Sequence, residues 1–332
     1  MTRPLLAAYP LAPADPAAER AFYEGVAGLD ISGLETPLPP DDGRLADPAW
    51  LLQNVAAAHD LLLTCVPTVV HRRTLDRAYG LASTDDAGRR RALLDVRRAC
   101  DLAAALADRS GRPRVLGIEL QSAPGPDGGS ADALLRSLAE VQTWERAGAR
   151  LVLEHCDALV PGQEPQKGFL SLAAEIEAVR ALGGGADADA PGIGINWGRS
   201  AIEGRSAATP VEHLRDAAAS GLLATFVLSG AAGTDGPWGP AWTDAHLPPR
   251  GDDPALADAG SSLLGVGEIR ESLVAAGIGT GATARATPGA RATLLGVKVA
   301  PPPRPGDVAS RLALAEATLA VVASAAADLG GA

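Results

Sequence analysis

Four short apolar runs in this chain end in glycine, one bulky residue and a polar residue: Gly33-Leu34-Glu35, Gly117-Ile118-Glu119, Gly194-Ile195-Asn196 and Gly296-Val297-Lys298. Together they supply two carboxylates, an amide and an amine. A fifth run ends Leu153-Glu154-His155-Cys156-Asp157. A carboxylate at the end of such a run is costly to bury unless paired. Glu154 therefore reads as a catalytic acid/base or a metal ligand, with a rim salt bridge as the alternative. Neighbouring carboxylates such as Glu119 and Glu154 either share a cation or separate into one acid and one base. An amine opposite them, Lys298, could form a Schiff base, stabilise an enolate or neutralise the glutamates.

Other polar groups lie close by along the chain. Gln121 follows Glu119 by two residues and so shares its face. Asn196 leads into Trp197-Gly198-Arg199-Ser200, and its amide and the Arg199 guanidinium suit hydroxyl and carboxylate or phosphate recognition. A rim salt bridge is the alternative for Arg199. Trp242, Asp244 and His246 cluster in a long Gly/Pro/Trp-rich segment, where His246 reads as a general acid/base folded over the site or as a surface residue. Of 29 basic residues only Lys167 and Lys298 are lysine. Arginine cannot replace lysine where a compact or deprotonatable amine is needed, so both enter the candidate set. His155 turns away from the Glu154 face and reads as a substrate contact or a hydrogen-bonded structural histidine. No role is assigned to His59, His71 or His213.

The elements that must position these groups alternate between strand and helix. The strands are expected at Leu5 to Tyr9, Ile31 to Leu38, Asp60 to Val66, Arg114 to Gln121, Arg150 to His155, Gly192 to Trp197, Leu222 to Ser229 and Ala292 to Val299. Helices are expected at about 16–27, 48–58, 87–107, 131–147, 169–181, from 209 onward, 266–276 and 306–329. Asp15-Pro16 and Thr209-Pro210 carry helix-start chemistry. Eight of each argue for a parallel sheet closed into a single (β/α)8 TIM barrel, α/β in class, over residues 1–332. Its extended loops follow strands 3 and 7. Residues 67–85 read as a long connection, 183–191 as a flexible one, and 230–258 as a site-covering loop. The four tripeptides fall on the even strands, and one interior layer of such a barrel takes side chains from alternate strands. Four glycines in that layer are expected to leave space beneath the mouth. Glu35 joins the others around that space.

Composition narrows the function. The net charge is −11 and no basic run occurs, which argues against nucleic acid and anionic membranes as partners. No run of about 18 apolar residues is read as a membrane span. Three cysteines without a C-x-x-C pair point to a reducing, cytoplasmic setting.

The chain resembles the xylose isomerase-like TIM barrels of sugar isomerases and epimerases, and within them one bacterial branch. The matching segments are Ile118-Glu119-Leu120-Gln121-Ser122-Ala123-Pro124, Leu153-Glu154-His155-Cys156-Asp157, Lys167-Gly168-Phe169-Leu170, Gly194-Ile195-Asn196-Trp197-Gly198-Arg199-Ser200 and Asp244-Ala245-His246-Leu247-Pro248. The resemblance implies a divalent metal held by acidic or histidine ligands from strands five to eight. Here only Glu154 fits, since strands six, seven and eight offer Asn196, Ser229 and Lys298. A relocated site would use Glu119, Glu154 and His246. The function expected is isomerisation or epimerisation of a sugar or sugar-derived polyol by proton transfer next to a carbonyl. Glu154 is the base, Glu119 or His246 the second acid/base, and Lys298 the electrophile. Asn196, Arg199, Lys167, Gln121, His155 and Glu35 hold substrate. A Schiff-base lyase or aldolase using Lys298, and a non-catalytic sugar-binding barrel, stay open, as does the oligomeric state.

Overall fold

The computed structural model describes residues 3–183, 190–279, 292–304, 306–327 and 329. Eight parallel strands close into a barrel in sequence order. They are β1 (Leu5–Ala7), β2 (Gly33–Pro37), β3 (Asp60–Thr64), β4 (Val115–Leu120), β5 (Arg150–His155), β6 (Gly192–Asn196), β7 (Leu223–Leu228) and β8 (Leu294–Lys298). Most of the expected segment 183–191 lies outside the described residues.

Ten α-helices occur among the described residues: α1 (Pro16–Val26), α2 (Pro48–Asn54), α3 (Val66–Leu75), α4 (Asp86–Ser110), α5 (Ala131–Gln142), α6 (Leu172–Ala181), α7 (Trp197–Gly204), α8 (Thr209–Ala219), α9 (Val266–Ala275) and α10 (Val308–Ala327). Their starts follow from capping chemistry. Asp15, Asp47, Asp85, Ser130 and Ser171 each accept a backbone N–H from the first helical turn. Two helices correct the sequence reading. The connection read at 67–85 contains α3, and the stretch before the helix expected from 209 onward contains α7. Asn196 caps α7 through its side chain, and the turn buries Trp197, Ala201 and Ile202. Both helices follow their strands almost without a loop, so the turn signals that mark boundaries elsewhere are missing.

Alternation along each strand sorts the residues. Leu151, Leu153, Ile193, Ile195 and Phe226 face the helices and join the main core. Gly117, Glu119, Val152 and Glu154 face inward. The glycines do not leave the expected space. A methyl group on Gly194 would lie 2.4 Å from Thr225 Oγ1, one on Gly117 3.2 Å from Leu62 Cδ1, and one on Gly296 3.2 Å from Val227 Cγ2. Side chains from odd strands fill what the glycines vacate, because close packing disfavours an empty layer. The polar residues at the strand ends therefore stand on a filled floor.

Helix α10 also departs from expectation. Its 20 residues, with mean hydropathy 1.5, are long and apolar enough to cross a membrane. Here α10 packs against α1 and α9 as the last helix of the outer ring.

Candidate active site

The carboxyl ends of the strands hold a cluster of charges with almost no exposure: Glu35, Glu119, Glu154, Arg199 and Lys298. Register explains their grouping. Ala7 on β1 pairs with Glu35 on one side and Lys298 on the other, which brings the ammonium to 2.5 Å from Glu35 Oε1. Lys298 Nζ also stands 5.3 Å from the ring centre of Tyr9. Burial works against the Lys298 charge, but Glu35 and then Tyr9 outweigh it and raise the amine above its ordinary pKa. Lys298 is thus an ammonium, not a free nucleophile.

Glu154 is fully paired. Arg199 Nη1 donates to Oε1 at 2.5 Å, Asn196 Nδ2 to the same oxygen at 3.4 Å, and Gln121 Nε2 to Oε2 at 3.1 Å. Burial favours its neutral form, yet Arg199 first and Lys298 next hold its pKa below the ordinary value. Glu119 is the opposite case. Its Oε1 accepts from Thr225 at 3.0 Å, and its buried Oε2 has no partner. Burial, then the charges of Glu154 and Glu35, drive its pKa well above the usual range. The two carboxyls are pushed in opposite directions, Glu154 toward the charged form and Glu119 toward the neutral one. Gln121 Oε1 and Asp157 Oδ1 are likewise buried without a partner.

The segment after β7 closes the mouth. A bridge between Gly230 and Leu247 ties it to the barrel, and Trp238 Nε1 donates to Ala300 O beyond β8. Ala232, Trp238, Leu247 and Ala259 form its own small core. From it Asp244 accepts from Lys167 Nζ at 2.9 Å and Arg199 Nε at 3.1 Å. Burial raises the Asp244 pKa, but Lys167 and Arg199 more than reverse this and hold it well below the usual value. His246 has a φ of 53°, and its Nδ1 lies 2.9 Å from Ser229 Oγ and 3.3 Å from Asp244 Oδ1. Burial lowers its pKa to about 3 despite Asp244, so the ring is neutral.

His155 does not join this cluster. It turns outward, between β5 and the helices, where Nδ1 meets Glu175 at 2.7 Å and Nε2 meets Glu203 at 2.9 Å. The strand alternation that points Glu154 inward places His155 outside the mouth. The other nine candidates gather there: Glu35, Glu119, Gln121, Glu154, Asn196, Arg199 and Lys298 within the barrel, with Lys167 and His246 at the closing segment. The sequence reading missed Tyr9 and Thr225. Thr225 carried a signal, because it lies on the inward face of β7 two residues before Val227.

A divalent metal at the mouth does not fit these donors. Glu119, Glu154 and His246 do not bring one ligand atom each within 4.8 Å of one another; among the described residues His155, Glu203 and His213 do. Glu154 is already taken by Arg199, and Lys298 stands as a cation where strand eight would supply a ligand.

The closed parallel barrel with a polar cluster at its carboxyl end is a (β/α)8 TIM barrel, and it shares that fold with solved sugar isomerases, epimerases and xylose isomerase-like barrels. A sugar phosphate isomerase/epimerase from Parabacteroides distasonis superposes with a TM-score of 0.56 at 11% identity, over 98% of this chain and 96% of that one. D-psicose 3-epimerase from Clostridium cellulolyticum, solved with D-tagatose, gives 0.52 at 16% identity, over 99% and 98%. A xylose isomerase-like barrel from Mycobacterium smegmatis, solved with magnesium, gives 0.50 at 14%, over 98% of each. At such identities the likeness shows the fold. Residues 5–314 match the family described as Domain of unknown function (DUF4862), and the chain belongs to that family. The uncharacterized protein STM3670 of Salmonella typhimurium is 34% identical over 253 residues, 74% of this chain and 77% of that protein.

Proposed function

We propose that the protein isomerises or epimerises a sugar or sugar-derived polyol by moving a proton at the carbon next to a carbonyl. The observation that carries this reading is the unequal carboxyl pair: Glu154 accepts from Arg199, Asn196 and Gln121, whereas Glu119 keeps one buried oxygen without a partner. Such a pair supplies a base and an acid together. Glu154 takes the proton and Glu119 returns one. Lys298, fixed as an ammonium by Glu35, stabilises the enolate oxygen as charge develops. Gln121, Asn196 and Arg199 bind hydroxyls of the substrate as it displaces part of their present bonding. Entry requires the closing segment to lift, which separates Asp244 from Lys167 and Arg199. The sugar isomerases and epimerases of the same fold support the substrate class. The held charge of Lys298 favours this reading over a Schiff-base lyase, whose amine must be neutral to attack. Three free, buried cysteines suit a reducing, cytoplasmic setting.

The test is proton NMR of ketoses, aldoses and their phosphates incubated with the protein in D2O. The reading expects solvent deuterium at the carbon next to the carbonyl of at least one sugar, and none with Glu119→Gln. Product formed without deuterium, borohydride trapping of a sugar on Lys298, or no exchange across the panel would overturn it.

A further inference from the structure

A second buried polar cluster lies outside the barrel, between β5 and the helices α6, α7 and α8. His155 from β5, Glu203 from α7 and His213 from α8 each offer one ligand atom within 4.8 Å of the others. The two rings meet edge to face at 5.0 Å between centres. What singles the cluster out is how the rings are held. His155 Nδ1 is bonded to Glu175 at 2.7 Å, and Glu175 is fixed in turn by Ser122. His213 Nδ1 is bonded to Ser200 Oγ at 3.0 Å. Both rings therefore aim Nε2 at the same carboxylate: His155 at Glu203 Oε2, 2.9 Å, and His213 at Glu203 Oε1, 3.7 Å. Glu203 is itself oriented by the Ala158 N–H at 2.8 Å.

We infer that His155, Glu203 and His213 form a transition-metal site on the outer face of the barrel, with zinc as the ion their chemistry fits. Zinc takes imidazole nitrogen and carboxylate oxygen at about 2.0–2.2 Å. A tetrahedral ion at those lengths needs ligand atoms roughly 3.4 Å apart; His155 Nε2 stands 2.9 Å from one Glu203 oxygen and His213 Nε2 3.7 Å from the other. Carboxylate-to-histidine-to-metal and hydroxyl-to-histidine-to-metal contacts are how metal proteins fix ring orientation, and Glu175 and Ser200 supply one of each. A groove of about 570 Å³ between α6 and α8 is lined by Glu203 and His213, so two of the three ligands border the surface. Glu177, Arg180 and Asp216 line the same opening. The site is separate from the mouth and does not depend on the reaction proposed there. An ion in it would pin β5 to α7 and α8.

The test uses the full chain, stripped with chelator and titrated with Zn(II) by calorimetry and with Co(II) by visible absorption. The expected result is one ion per chain, a four- or five-coordinate cobalt spectrum, and a rise in thermal midpoint with added zinc. Ser200→Ala should weaken binding by about 10-fold or more, and His213→Gln should abolish the cobalt spectrum while circular dichroism stays that of the barrel. Glu119→Gln should leave the affinity unchanged. No saturable binding, or binding that His213→Gln and Ser200→Ala leave intact, would overturn the site. If His213→Gln does not fold, the Ser200→Ala affinity decides.

Discussion

Two consecutive residues of β5 anchor two different clusters: Glu154 turns into the barrel and His155 turns out of it. Both clusters are buried, and both hold more than one carboxyl. Inside, the countercharges are Arg199 and Lys298, which keep their protons at any working pH, and one carboxyl oxygen of Glu119 is left without a partner. Outside, the countercharge is a proton on His155. Burial disfavours it, but Glu175 and Glu203 raise the ring's pKa to about 10. His213 beside it is lowered to about 4 by burial and by the charge of His155. Fixed charge with an unfilled oxygen suits chemistry on a substrate. Exchangeable charge with every ring nitrogen engaged suits structure, or an ion that takes the proton's place.

The sharpest way to break the contrast is to remove the unfilled oxygen. Glu119→Gln should lower turnover by about 10²–10⁴, measured as solvent deuterium exchange. The fold should persist, because a neutral amide replaces a neutral acid. Removing a fixed cation should cost stability instead. Lys298→Met leaves Glu35 buried and unpaired and should destabilise by about 3–5 kcal/mol. Denaturant unfolding of Lys298→Met with Glu35→Gln should recover much of that loss without recovering turnover. A double variant as unstable as the single one would mean the pair does not set the stability of the mouth.

Stripped of metal, the outer cluster predicts a pH effect. The folded His155 pKa of about 10 lies above its unfolded value of roughly 6.5. Its stabilisation is therefore fully present below pH ~6.5 and is lost as pH rises through about 10. The urea midpoint of the wild type should fall over that window more steeply than that of His155→Gln. Buried tyrosines and cysteines contribute equally to both proteins, so the difference isolates His155. Smallest of all, Lys167→Ala should leave Asp244 bound to Arg199 and change only opening of the segment after β7, seen as faster amide exchange over 230–247.

Much of the inner cluster was legible because strands alternate. Glycine and its polar neighbour two positions on had to share a face, so Glu35, Glu119, Asn196 and Lys298 fell together once the strands were counted. The packing around the glycines was not legible, because it depends on Leu62, Val152, Thr225 and Val227 leaning in from other strands. Helix α7 was hidden because Asn196 both ends a strand and caps a helix. The outer cluster was invisible for a related reason. Glu175, Glu203 and His213 sit on three helices whose packing, not their spacing, brings them to His155.

The central claim is that Glu119 carries a proton at neutral pH. Infrared difference spectroscopy of the whole protein tests it without a known substrate. The account predicts that the carbonyl stretch of a buried carboxylic acid weakens by one residue's worth in Glu119→Gln. A band untouched in Glu119→Gln would contradict it.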